Sequence, residues 1–317
     1  MNNLVNTKEG TVNKNSFRYR VKRDFQKNKV LYLIVLLPFL YYIIFHYFPM
    51  YGAVIAFKQY KPNLGILGSP WVGLKHFTDF FSFPSFYAVL KNTVVISATT
   101  ILFSFPAPII LALLLNELKS KKFLKVVQNI TYMPHFISLV VICGLVKQFT
   151  MYNGFIGELV GFFTGEAVSL LNFPKYFIPV YVSSGIWQEI GWNSIIYTAA
   201  LTGVDEQLYE AAVIDGANRW KQTIHVTIPG ILPTIVIMLI LKLGTILNVG
   251  FEKIILLYND ATMPVADVIS TYVYRKGLLE LSWSFSSAVG LFNSVVNFTF
   301  IMLTNAISKK LNGYGLW

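Results

Sequence analysis

Six stretches of about twenty mostly apolar residues recur along this chain, and that length is what one α-helix needs to cross a bilayer. They cover approximately residues 30–48, 93–115, 130–149, 177–201, 231–257 and 286–307. The predicted fold class is therefore an all-α integral membrane protein with six transmembrane helices. Pro38, Pro106 and Pro108 fall inside or beside these stretches. A carbonyl freed by proline in lipid must find another partner, so each marks a kink supported by neighbouring helices. Pro134, near the start of the third stretch, shortens its uninterrupted apolar part.

Composition agrees. Of 317 residues, 55% are hydrophobic and 13% charged, whereas a soluble domain carries about 25% charge. One domain whose solvent is largely lipid follows. The formal net charge of +11 raises nucleic acid as a partner, but placement argues against it. Lys8, Lys14, Arg18, Arg20, Lys22, Arg23, Lys27 and Lys29 precede the first stretch. Lys119, Lys121, Lys122 and Lys125 join the second to the third, Arg219 and Lys221 the fourth to the fifth, and Lys309 and Lys310 follow the sixth. These are 16 of the 26 basic residues. The positive-inside rule then places both termini in the cytoplasm, consistent with an even number of crossings. Residues 1–29 read as a basic cytoplasmic tail. Their length, and the lack of a small-residue cleavage site after Phe48, predict a retained first helix rather than a cleaved signal. Residues 30–317 form the membrane domain. Its extracytoplasmic loops, about 50–90 and 258–285, are long. The first is rich in Gly, Pro and aromatics such as Trp71, Phe77 and Phe83, which suits a structured cap at headgroup depth.

Catalytic patterns are absent from the sequence. There is no G-x-x-x-x-G-K-[ST] loop for ATP, no H-E-x-x-H and no C-x-x-C. His46, His76, His135 and His225 show no metal spacing. Cys143 lies in an apolar run and reads as a small buried hydrophobe. The expectation is a chain without catalytic residues, metal or cofactor of its own.

The patterned polar segment is the cytoplasmic loop at about 203–230. Asp205 is placed to cap a helix whose apolar side carries Leu208, Ala211, Ala212 and Ile214. Gly216 suits its end, because glycine accepts the left-handed conformation of a helix stop. A second short helix is predicted from Ala217 to about His225, with Pro229 and Pro233 leading into the fifth span. The small residues allow a partner's backbone to approach, and Glu210 offers a carboxylate to an Arg or Lys of that partner. The competing reading is a loop helix lying on the inner leaflet.

Glu210-Ala211-Ala212, three residues, Gly216, nine residues, then Val226-Thr227-Ile228-Pro229 is similar to the EAA signature of ABC importer permeases, E-A-A-x3-G-x9-I-x-L-P. Val226 and Ile228 depart from it conservatively. The segments LLPFLYYIIFHYFPMYGAVIAFKQYKP, WVGLKHFTDFF, GWNSIIYTAALTGVDEQLYEAAVIDGANRW, ADVISTYVYRKGL and the final Leu316-Trp317 resemble the carbohydrate-uptake branch, and within it permeases for polysaccharide fragments and complex oligosaccharides. The resemblance implies a type I ABC importer permease fold in a bacterial plasma (inner) membrane. It also implies that Glu210, Ala211, Ala212, Asp215, Gly216, Arg219 and Pro229 form the element that couples to an ATPase. The implied partners are a second permease, a cytoplasmic ABC ATPase dimer that binds ATP and Mg, and an extracytoplasmic solute-binding protein.

Polar residues inside spans should face a cavity or another helix. Trp187, Gln188, Glu189, Trp192 and Asn193 in the fourth span, Asn248 and Glu252 in the fifth, and Asn293 and Asn297 in the sixth are candidates for the solute path, or for adhesion between helices. Lys242, near the middle of the fifth span, should face an acidic partner, a carbonyl or an anionic solute, because a lysine at that depth costs about 2.5–3.5 kcal/mol on insertion scales. Arg275 and Lys276 of the outer loop are candidates for contact with the binding protein, or for simple solvation. A gradient-driven secondary transporter, expected to show repeats and buried acidic relays, and a membrane-embedded enzyme are the alternatives. The EAA-like loop argues against both.

Overall fold

A computed structural model describes residues 4–7, 10–13 and 17–316. Lys8, Lys14 and Trp317 lie outside them. The chain divides into two compact units, residues 1–55 with 60–69 and residues 56–59 with 70–317.

The first unit opens with a short antiparallel hairpin, β1 (Leu4–Thr7) paired with β2 (Gly10–Asn13), Val5 opposite Val12. This hairpin lies in the basic tail ahead of the membrane helices, where Val and Thr favour the pleated form. Helix α1 (Phe17–Lys27) and helix α2 (Lys29–Tyr42) follow. Asp24 accepts hydrogen bonds from Asn28 Nδ2 at 2.7 Å and Tyr32 Oη at 2.6 Å across their junction. The apolar helical segment continues to Phe57. Its large apolar side chains from Val30 to Tyr51 are exposed, as expected where the surrounding solvent is lipid.

The second unit is a helical bundle. Helices α3 (Phe86–Ser104) and α4 (Pro106–Asn116) form one long segment, with Pro106 starting the second part where its missing N–H is harmless. Then come α5 (Lys121–Tyr132), α6 (Leu139–Thr150), α7 (Phe155–Thr164) and α8 (Pro174–Leu201). The loop helix α9 (Glu206–Ile214) precedes α10 (Arg219–Gln222), α11 (Ile228–Leu243), α12 (Phe251–Leu257), α13 (Ile269–Tyr274) and α14 (Trp283–Asn312). Among the described residues, five helical segments are long and apolar enough to cross a membrane: Lys29–Phe57, Phe86–Asn116, Leu139–Thr164, Arg219–Leu243 and Trp283–Lys310.

Helix α8 has 28 residues but is more polar. It packs on α3, α4, α5, α6 and α11, and buries Phe177, Tyr181, Gln188, Ser194 and Tyr197 among others. A helix enclosed by other helices has little lipid to satisfy, so its sequence is released from uniform apolarity. At Gly191 an added Cβ would lie 2.1 Å from the Thr131 carbonyl oxygen. Glycine is what lets α5 and α8 touch backbone to backbone.

Three boundaries differ from the sequence expectation. The third span does not run through 130–149. Pro134 sits in a 3-10 turn, Met133–Phe136, and α6 restarts behind Ser138, whose hydroxyl accepts from Val141 N–H at 3.4 Å. The fifth span is not continuous over 231–257: the helix stops at Leu243 and resumes at Phe251. The second loop helix does not start at Ala217. Asn218 caps α10 by accepting from Lys221 N–H at 2.9 Å, and α10 passes through a π turn, Thr223–Thr227, into α11 without a gap. Pro229 therefore lies within the first turn of α11 rather than ahead of it.

Candidate translocation cleft and cytoplasmic docking helix

The loop helix α9 begins as its residues predict. The Asp205 carboxylate accepts from Gln207 N–H at 2.9 Å. At the other end Gly216 takes φ +74°. Gly216 N–H reaches the Val213 carbonyl at 3.0 Å, and Ala217 N–H reaches the Ala212 carbonyl at 2.8 Å. This pair of bonds is the Schellman stop, and a Cβ would strain its left-handed residue. Gln222 Nε2 donates to the Ala217 carbonyl at 2.8 Å, and the Tyr209 hydroxyl donates to Thr227 Oγ1 at 3.0 Å. These bonds fasten α9 to the base of α11.

Little of α9 is covered. Glu210, Ala211, Asp215, Gly216, Arg219 and Pro229 are exposed, and Ala212 is half-buried. Leu208, Val213 and Trp220 are exposed, and Ile214 is 86% exposed. The apolar side predicted from Leu208 and Ile214 thus faces away from this chain's own core. Arg219 lies 3.8 Å from Glu117, an exposed pair.

Deeper in the bundle, helices α3, α4, α8, α11 and α12 enclose a cleft of about 250 Å³. Of the predicted path residues, Gln188, Glu189, Asn193 and Lys242 line it. An adjoining cleft of about 270 Å³ shares Thr100, Tyr181 and Lys242 and adds Asn248. Trp187, Trp192 and Asn293 line neither. Trp192 stacks on His135 with ring centroids 4.3 Å apart and planes at 2°. His135 Nδ1 lies 3.0 Å from Glu189 Oε2. His135 thus ties the turn before α6 to α8.

The break after α11 accounts for two asparagines. Asn297 Oδ1 accepts from Leu247 N–H at 3.2 Å, and its Nδ2 donates to Asn248 Oδ1 at 3.3 Å. The Ser97 hydroxyl donates to the Ile246 carbonyl. Unwound backbone at membrane depth requires such partners. Lys242 is consequently in the last turn of a helix, where a cation is favoured by the helix dipole, rather than mid-span.

Lys253 escaped the sequence reading. It lies in α12, is buried, lines the first cleft, and donates from Nζ to the Tyr181 carbonyl at 2.9 Å. Its signal in the sequence was a lysine eleven positions after Lys242 inside the same apolar stretch. The outer-loop cations are internally engaged. Arg275 makes two hydrogen bonds to Asp267, at 2.8 and 2.6 Å, and Lys276 pairs with Glu280. The Asp267 bonds raise the pKa of Arg275 above its ordinary value.

A family model, "Binding-protein-dependent transport system inner membrane component", matches residues 30–313. The chain is 45% identical over 310 residues to the polygalacturonan/rhamnogalacturonan transport system permease protein YteP of Bacillus subtilis, covering 98% of this chain and 97% of that one. It is 43% identical to the protein LplB of the same organism, covering 95% and 94%. Among solved structures, a chain of a bacterial alginate ABC transporter in complex with an alginate pentasaccharide-bound periplasmic protein superimposes with a TM-score of 0.85 at 41% identity. That match covers 94% of this chain and 100% of the other. A long apolar bundle, an exposed loop helix and full-length similarity lead to one assignment: the chain belongs to the family of binding-protein-dependent transport system inner membrane components, as a multi-spanning permease of the ABC-transporter type.

Proposed function

We propose that this permease forms half of the pathway of an ATP-driven importer for oligosaccharides cut from polysaccharides, and that α9 is its contact with the ATPase. The observation that carries the proposal is α9 itself. It is capped at both ends and fastened to α11, yet leaves Glu210, Ala211 and Gly216 bare beside the exposed Leu208 and Ile214. A rigid helix joined to a membrane helix at one end and open on the other side is suited to transmit a rigid-body movement. Closure of a cytoplasmic ATPase dimer would pull α9 and tilt the bundle between outward- and inward-facing packings. Solute class rests on the relatives, whose names include polygalacturonan, rhamnogalacturonan and alginate. ATP and Mg belong to the ATPase. A second permease and an extracytoplasmic binding protein complete the assembly, with six crossings and both termini in the cytoplasm.

The test uses the assembled complex in proteoliposomes. Gly216→Leu places a bulky side chain at a left-handed residue and on the contact face. Glu210→Ala removes the partner charge. Each is expected to lower ATP hydrolysis stimulated by loaded binding protein by at least tenfold, with the permease still inserted. Unchanged stimulation in both variants would refute docking through α9.

A further inference from the structure

The first cleft holds a cation placed where a cation is costly. Lys253 is 8% exposed, yet it lines the cleft. Its one hydrogen-bond acceptor among the described residues is a neutral group, the Tyr181 carbonyl at 2.9 Å, and it lies 4.8 Å from the centre of the Tyr181 ring. Among the described residues no carboxylate is within ion-pair distance of Lys253 or of Lys242, which lines the same cleft from α11. The carboxylate nearest in function, Glu189, is engaged by His135 at 3.0 Å. An ammonium has three donors, so one carbonyl leaves Lys253 with unused bonding capacity beside an open space.

The site is shaped for this ammonium. A Cβ at Gly185 would lie 3.1 Å from Lys253 Nζ. Glycine on α8 therefore supplies the berth into which the lysine head fits. Thr100 lines both clefts, and its Oγ1 is buried without a hydrogen-bond partner. Lys242, Lys253 and Gln188 thus line one space with ammonium and amide side chains.

We propose that Lys253, berthed against Gly185 and assisted by Lys242, is the residue of this permease that binds the carboxylate of a uronate sugar during passage. This rests on the oligosaccharide reading above and adds the charge of the solute and the residue that senses it. A carboxylate gives the buried ammonium a charge-assisted bond in a partly dry site, where such bonds are strongest. A neutral sugar leaves the ammonium as it found it, so discrimination comes from the difference between the two.

The experiment reconstitutes the complex with its partner permease, ATPase and binding protein, and uses trigalacturonate as probe. Two quantities are read: uptake of the probe, and ATP hydrolysis stimulated by the loaded binding protein. K253M, which keeps the length and removes the charge, is expected to lower uptake per ATP about tenfold while stimulated hydrolysis stays within twofold of wild type. K253R should retain uptake within about threefold. G185A, which crowds the berth, should lower uptake per ATP several-fold. Retained uptake in K253M would overturn the proposal, as would equal loss of uptake and stimulation in K253M and K253R, which marks a purely structural lysine. Wild type that hydrolyses ATP with loaded binding protein but imports no trigalacturonate would overturn the uronate assignment, and the import of a neutral oligosaccharide by the same vesicles would leave the wider oligosaccharide reading standing.

Discussion

Single residues divide here into those whose role is local and those whose role depends on distant partners. Asp205 and Gly216 are of the first kind. A carboxylate two residues before a backbone N–H and a glycine after a helical run announce a cap and a stop in any context, and both occur as expected. Arg275 is of the second kind. Nothing nearby in sequence shows that Asp267, eight residues earlier, turns to meet it, or that the Asn92 amide, 175 residues away, donates to the Asp267 carbonyl at 3.0 Å. With side chains 24% and 14% exposed, the pair is mostly out of water. Arg275→Ala should destabilise the second unit by about 1–3 kcal/mol, because it leaves a desolvated carboxylate. The double variant Asp267→Ala/Arg275→Ala should be less destabilised than R275A alone. Thermal unfolding of the purified complex in detergent measures both, and equal losses would show that the pair contributes nothing beyond its parts.

Elements show the same division. Length and apolarity located the helices well, because every span must satisfy its own backbone in lipid. They did not locate the interruption at 244–250, where the chain leaves the helix because Asn297 accepts from the Leu247 N–H and Ser97 donates to the Ile246 carbonyl, with Asn248 holding the Asn297 amide in place. Asn297→Leu removes the acceptor of the Leu247 N–H, and an unmet buried donor costs about 1–3 kcal/mol. The expected result is a lower unfolding temperature and a less monodisperse complex on size-exclusion chromatography. Gly191→Val should be more severe. Its side chain would collide with the Thr131 carbonyl, and α5 and α8 would have to separate. Loss of assembled complex at unchanged membrane insertion is the measurable outcome. The glycine itself was visible in the sequence, but its neighbour across 60 residues was not.

For the whole molecule the expectation of both termini in the cytoplasm follows from lysine and arginine placement. Reporter fusions at the two ends, one active only in the cytoplasm and one only outside, should both report the cytoplasm. An outside signal at one end alone would require an odd number of crossings, and outside signals at both ends would invert the orientation. The sequence by itself determined the membrane as solvent, the helical class and the caps of the loop helix α9, since each depends on composition and spacing along one segment. The tertiary structure alone decided that α8, a long helix outside the five apolar spans, is the hub of the bundle. It also decided that Asn297 holds a broken helix while Glu189, Asn193, Lys242 and Lys253 share a cleft. A side chain's distance along the chain says when a helix turns it to a given face, but not which helix stands opposite. In lipid, where polar groups have no water to meet, that neighbour determines whether a buried charge or amide serves packing or passage.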